Sequence, residues 1–176
     1  EVTYPKLPKQ EMRILSREEQ DIFVQYLLND PDPCKFGVLF SLLTGLRIGE
    51  ICALKWRNIS LADRTVSVSS TMQRLKNSDG GSSSKTSIRI STPKSDSSLR
   101  IIPLSDYLID ICNHWTWMAP EAYVLTGDLD RFVEPRTLQY WLAKYTKDCN
   151  LDGVHYHVLR HTFATRCVEV DFEIKS

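Results

Sequence analysis

The chain has 176 residues, 42% of them hydrophobic, which is enough to bury one sizeable core and falls in the usual range of a single domain. Its 22 basic and 22 acidic residues give zero net charge, which argues against a protein that coats nucleic acid through bulk charge and directs attention to how the charges are distributed. Cys34, Cys52, Cys112, Cys149 and Cys167 are odd in number and form no Cys-x-x-Cys pair, so neither a disulfide framework nor a zinc site is indicated. A reducing cytoplasm is expected, with no membrane-spanning apolar run and no signal-peptide pattern.

Residues 1–15, with Pro5 and Pro8, read as an extended linker from an upstream region. Ser16 with Glu19 three residues later is a capping box, and Ile22, Phe23, Tyr26 and Leu27 form a helical stripe, predicting a helix from Arg17 to Leu28. Pro31 and Pro33 separate it from Phe36 to Thr44, which is almost wholly apolar, too rich around its circumference for a surface helix, and so reads as a central core helix. Gly45 sits where a helix end favours a left-handed residue. A second helix is expected over Leu46 to Leu54, with Ile48, Ile51 and Leu54 inward. Arg47 falls in its first turn and Glu50 on the same face. A guanidinium beside the amides of a helix start attracts anions, although an ordinary intrahelical ion pair accounts for the same two residues.

Val66 and Val68 alternate within Thr65 to Ser70, Ile88 and Ile90 within Ser87 to Ser91, and Leu99 to Ile102 is β-prone before Pro103. These predict a small three-stranded antiparallel sheet. Residues 77–84 form a Gly- and Ser-rich excursion, and 92–98 a tighter turn with Lys94 at its tip, where a lysine is ordinarily just solvated. Lys85, Arg89, Lys94 and Arg100 face only Asp96 in this region. The stretch that follows carries Asp106, Asp110, Glu121, Asp128, Asp130 and Glu134 against Arg131 alone. A basic hairpin beside an acidic flank makes one side of a neutral molecule attractive to phosphate.

Ser105 can cap a helix through Tyr107, Leu108, Ile111 and Trp115, and Pro135 can open another through Leu138, Trp141, Leu142 and Tyr145. Their aromatic residues fall at helical spacing and read as packing residues rather than base-stacking platforms. In the last helix His157 and Arg160 stand three apart on one face, while Val158, Leu159, Phe163 and Ala164 supply apolar faces that would fix them. An imidazole and a permanently charged planar cation held together suit a phosphate, and a solvated surface pair is the competing reading. His114 and His155 read as structural. The elements together predict an α+β, mainly helical domain.

Thr44-Gly45-Leu46-Arg47-Ile48-Gly49-Glu50, then Thr92-Pro93-Lys94-Ser95 leading into Arg100-Ile101-Ile102-Pro103-Leu104, then His157-Val158-Leu159-Arg160-His161-Thr162-Phe163-Ala164-Thr165 resemble the catalytic domain of tyrosine recombinases, the phage-integrase family. The resemblance runs from about Ser16 to the last residue. The long turn between the first two predicted strands and the run Val168 to Phe172 are most similar to integrases of conjugative transposons.

The resemblance implies the tyrosine recombinase catalytic-domain fold over residues 16–176. It implies cleavage and rejoining of double-stranded DNA through a 3′-phosphotyrosyl intermediate, without metal or other cofactor, by a homo-oligomer (dimer to tetramer) on DNA in the bacterial cytoplasm, associated with the nucleoid. The catalytic roles then fall to Arg47, Lys94, His157 and Arg160, with Glu50 orienting them and Arg47, Lys94 and Arg160 contacting DNA. In that family a further histidine or tryptophan and the tyrosine nucleophile follow the His-x-x-Arg helix. Tyr140, Tyr145 and Tyr156 all come too early, so the expectation is a piece that stops short of its nucleophile. A non-catalytic DNA-binding or assembly module of the same fold is the alternative. A type IB topoisomerase and a metal-free hydrolase using His157 and His161 are more distant ones.

Overall fold

The structure is a computed structural model describing residues 12–30, 32–76, 86–92, 99–114 and 118–175, with side chains described through Val170. Helix α1 (Arg17–Leu28) begins at the expected capping box, with the Ser16 hydroxyl accepting from the Glu19 amide at 3.1 Å and the Glu19 carboxylate accepting from the Ser16 amide at 2.8 Å. Helix α2 spans Pro33–Thr44. Pro33, expected to separate helices, instead opens this one, because a first helical residue has no use for its amide hydrogen. Asp32 caps it, accepting from the Cys34 and Lys35 amides at 2.7 and 3.0 Å.

Around α2 the core is assembled. Val38, Leu39, Phe40 and Leu42 are buried, and α1, α3 (Ile48–Ala53), α5 (Pro135–Asp148) and α6 (Tyr156–Lys175) all pack against it. Each such side chain contributes about 1.5–3 kcal/mol relative to its exposed state. The apolar circumference legible in the sequence is therefore a consequence of being surrounded. Helix α4 (Asp106–Asn113) starts at Ser105 as expected, and Trp115 lies outside the described residues.

Gly45 ends α2 in the left-handed region at φ +66°. Leu46 and Arg47 follow outside any helix, Arg47 with an extended backbone, so that Arg47 is the N-cap of α3 rather than part of its first turn, and the helix is shorter than the predicted 46–54. Ile51 and Leu54 are buried and Ile48 partly so.

The sheet differs from the expectation in its pairing. Strands β1 (Ile59–Ser60), β2 (Thr65–Val68) and β5 (Arg100–Pro103) form an antiparallel three-stranded sheet in the order β1-β2-β5. Strand β4 (Thr86–Ser91), predicted to belong to it, pairs instead with β3 (Thr71–Lys76) in a separate two-stranded ribbon. Strand β3 was not predicted, because its apolar residues Met72 and Leu75 are three apart and only Met72 is buried, leaving no two-residue alternation to read. The 77–84 excursion joining β3 to β4 lies outside the described residues.

Long-range bonds seat α6. The Tyr156 hydroxyl meets Ser41 Oγ on α2 at 2.5 Å, and Thr162 Oγ1 accepts from the Leu15 amide at 3.0 Å. Arg166 donates to the Leu15 carbonyl at 2.8 Å and to Gln20 at 3.1 Å. One face of α6 is thereby clamped to α1 and α2, which sets where His157 and Arg160 emerge.

Candidate active site

A cavity of about 230 Å³ opens between the α2–α3 corner, the start of β3 and the first turns of α6. Arg47, Gly49, Gln73, Tyr156, His157 and Arg160 are among the residues that line it. Three residues singled out from sequence, Arg47, His157 and Arg160, therefore share one wall space although they are drawn from helices far apart in the chain. Lys94 lies outside the described residues. His161 is half-buried and does not line this cavity.

Each side chain is held by its neighbours. Arg160, part-buried, donates through Nη1 to the Gly45 carbonyl at the corner where α2 ends. Desolvation, followed by the nearby charges of Arg47 and Arg100, lowers its pKa from the ordinary guanidinium value, with Glu50 opposing. A guanidinium that feels two others is a group crowded into a cationic site, and an anion in the cavity relieves that repulsion. His157 is exposed at the cavity mouth, its ring edge-on to that of His155 at 5.8 Å between centroids. Tyr156 also lines the cavity, but its hydroxyl is taken up by Ser41 and burial pushes its pKa up, so it is not presented as a nucleophile.

Glu50 is the buried hub, only 4% exposed. It accepts from the Arg47 amide at 2.7 Å and from Arg47 Nη1 at 3.0 Å, and it forms a bidentate pair with Arg100 at 2.9 and 2.7 Å. Arg100 is not among the site residues expected from sequence, where it stands only as one basic residue of the hairpin and as the start of the Arg100-Ile101-Ile102-Pro103-Leu104 motif. The available signal was a charged residue within a short strand otherwise occupied by Ile101, Ile102 and Pro103. Gly49 allows β3 to close the cavity, since an added Cβ would stand 2.5 Å from the Met72 carbonyl oxygen.

Burial opposes ionisation of Glu50, but hydrogen bonds from Arg100, from the Arg47 amide and from the Arg47 side chain outweigh it and hold the pKa below the ordinary carboxylate value. A depressed folded-state pKa contributes stability that is complete above the unfolded value and is lost as pH falls through the folded one. The urea midpoint of the wild-type chain is therefore expected to fall on acidification from about pH 5 downwards more steeply than that of Glu50→Gln. Parallel slopes for the two proteins would contradict the assignment.

The fold is a mainly helical α+β domain in which Arg47, His157 and Arg160 line one cavity of about 230 Å³. The chain belongs to the phage integrase family, whose model matches residues 13–176. Among curated relatives, it is 28% identical over 156 residues to a tyrosine recombinase XerC-like protein of Caldanaerobacter subterraneus subsp. tengcongensis, covering 78% of this chain and 39% of that protein. It is 24% identical over 179 residues to tyrosine recombinase XerC of Xanthomonas axonopodis pv. citri, covering 97% and 50%. The chain thus spans about half the length or less of these relatives.

Among solved structures, the Tn1549 transposon integrase in complex with a circular intermediate DNA aligns with a TM-score of 0.69 at 19% identity, covering 93% of this chain and 55% of that one. XerA recombinase aligns with a TM-score of 0.65 at 20% identity, covering 94% and 53%. At these identities the likeness is one of fold, and the expected α+β recombinase fold is the one observed. Among the described residues, no helix is long and apolar enough to cross a membrane, and no group of three or more His, Cys, Asp or Glu side chains could hold a metal ion.

Proposed function

We propose that this chain is the catalytic domain, over residues 16–176, of a site-specific recombinase that integrates and excises a mobile element. The observation carrying the reading is that Arg47, His157 and Arg160 line a single cavity. Attack on a phosphodiester gathers negative charge on the non-bridging oxygens, and preorganised cations stabilise it in a water-poor site. Arg47 and Arg160 take the two oxygens. A tyrosine supplied from beyond Ser176 attacks phosphorus, its proton passing to His157, and the bond to the 5′-oxygen breaks. That oxygen takes a proton from Lys94, leaving a 3′-phosphotyrosyl link and a free 5′-hydroxyl. Rejoining runs the same steps backwards, so no external energy source is consumed.

Double-stranded DNA is the partner, and Arg89, which stands across the β3–β4 ribbon from the cavity-lining Gln73, suits its backbone. A homo-oligomer assembled on DNA supplies the paired strand exchanges, in the cytoplasm of a bacterium. The test is trapping of the full-length protein on a nicked duplex carrying its recombination site. A denaturation-resistant protein–DNA adduct is expected, and an uncleaved duplex that is nevertheless bound would leave the non-catalytic DNA-binding module in its place.

A further inference from the structure

Arg100 lies outside the Arg47, Glu50 and His-x-x-Arg pattern and does not line the cavity, yet it makes the most complete polar contact behind the cavity wall. From β5 it delivers two nitrogens to Glu50, Nη1 to Oε1 and Nη2 to Oε2, with its side chain 24% exposed and that of Glu50 5% exposed. Arg47 supplies two more donors to the same carboxylate, its amide to Oε2 and its Nη1 to Oε1. A carboxylate offers about four lone-pair directions, so four donors saturate it. Arg47 is left with one side-chain bond and 58% exposure, and its other guanidinium nitrogens have no protein partner among the described residues.

Those spare donors depend on Arg100. A fork-shaped guanidinium and a carboxylate prefer a bidentate pair, and Glu50 and Arg47 are three residues apart with their side chains already touching. Were both outer positions on Glu50 vacant, Arg47 would turn its fork onto the carboxylate and away from the cavity. The geometry points to Arg100 as a positioning residue: by occupying Glu50 from behind, it holds the carboxylate to a single side-chain contact with Arg47 and keeps the rest of the Arg47 fork available to a phosphate oxygen. This rests on the proposed function for the identity of the phosphate, and on geometry alone for the positioning.

The test uses this chain with inorganic phosphate as the probe, following guanidinium and amide resonances around the cavity by NMR, and in parallel the full-length protein on nicked DNA. Arg100→Ala is expected to weaken phosphate binding at the cavity about tenfold. Arg100→Lys keeps the charge but loses the fork, and is expected to weaken it about threefold to fivefold. Adding Glu50→Gln to Arg100→Ala removes the anion that would capture Arg47 while keeping an acceptor for its amide, and is expected to recover most of the loss. Wild-type affinity in Arg100→Lys, or no recovery in the double variant, would overturn the positioning role. Absence of DNA cleavage by the wild-type protein would reject the recombinase reading and leave the phosphate titration to decide on Arg100 independently. If Arg100→Ala does not fold, as reported by circular dichroism, the Arg100→Lys titration decides alone.

Discussion

Replacing Arg160 by alanine in the full-length protein is expected to slow formation of the covalent DNA adduct by about 10²–10³-fold, the range for removing one preorganised donor from a developing oxyanion. Binding of the same duplex should weaken far less, because DNA affinity is spread over many phosphates and this substitution removes one contact. Arg160 earns the larger effect by its setting. It is part-buried, fixed to the Gly45 carbonyl, and sits in the field of Arg47 and Arg100, so its charge is poorly screened by water and aimed before substrate arrives. Arg47→Ala should act in the same direction but more mildly, since its side chain is 58% exposed. Quench-flow rates on a nicked duplex set against equilibrium affinities at several salt concentrations check both. Equal losses in rate and affinity for Arg160→Ala would indicate a binding module rather than a catalytic site.

Gly45→Ala is expected to be the most damaging small change to the fold, at about 2–4 kcal/mol. A left-handed backbone costs a non-glycine residue about 1 kcal/mol, and forcing a methyl group into filled space adds about 1–3 kcal/mol. The space here is filled by Phe163, whose Cδ1 lies 2.5 Å from where the new Cβ would stand. The ring belongs to α6, so relieving the clash moves the helix that carries His157 and Arg160, and it disturbs the carbonyl that holds Arg160. The substitution should therefore lower the melting temperature by several degrees and reduce cleavage beyond what the lost stability explains. A shrunken partner tests the cause: Phe163→Leu added to Gly45→Ala should return part of the stability, whereas additive losses would show that the clash is not the source.

Both predictions depend on the corner between α2 and α3, and that corner was largely legible in the sequence. A glycine after a largely apolar helix, an arginine two residues later and a glutamate three beyond that are local signals, and the structure places them at a left-handed turn, an N-cap and a buried carboxylate. Helix starts were legible for the same reason. Ser16, Ser105 and Pro135 mark them through hydrogen bonds and backbone preferences that reach only three or four residues along the chain.

What joins distant residues was decided by the tertiary structure alone. Strand β4 carries the same alternation whichever partner it takes, and its pairing with β3 rather than with β2 or β5 depends on where the whole chain lets each edge lie. The Arg100–Glu50 pair spans 50 residues, so nothing adjacent to either position announces it. The physical reason is one of range: capping and periodicity are written by neighbours within a turn of helix, whereas strand pairing and the saturation of a buried carboxylate are settled by packing free energy summed over the folded domain. The sequence by itself determined which cations this chain carries toward its site. The fold determined which of them meet the cavity and which one holds Glu50 from behind.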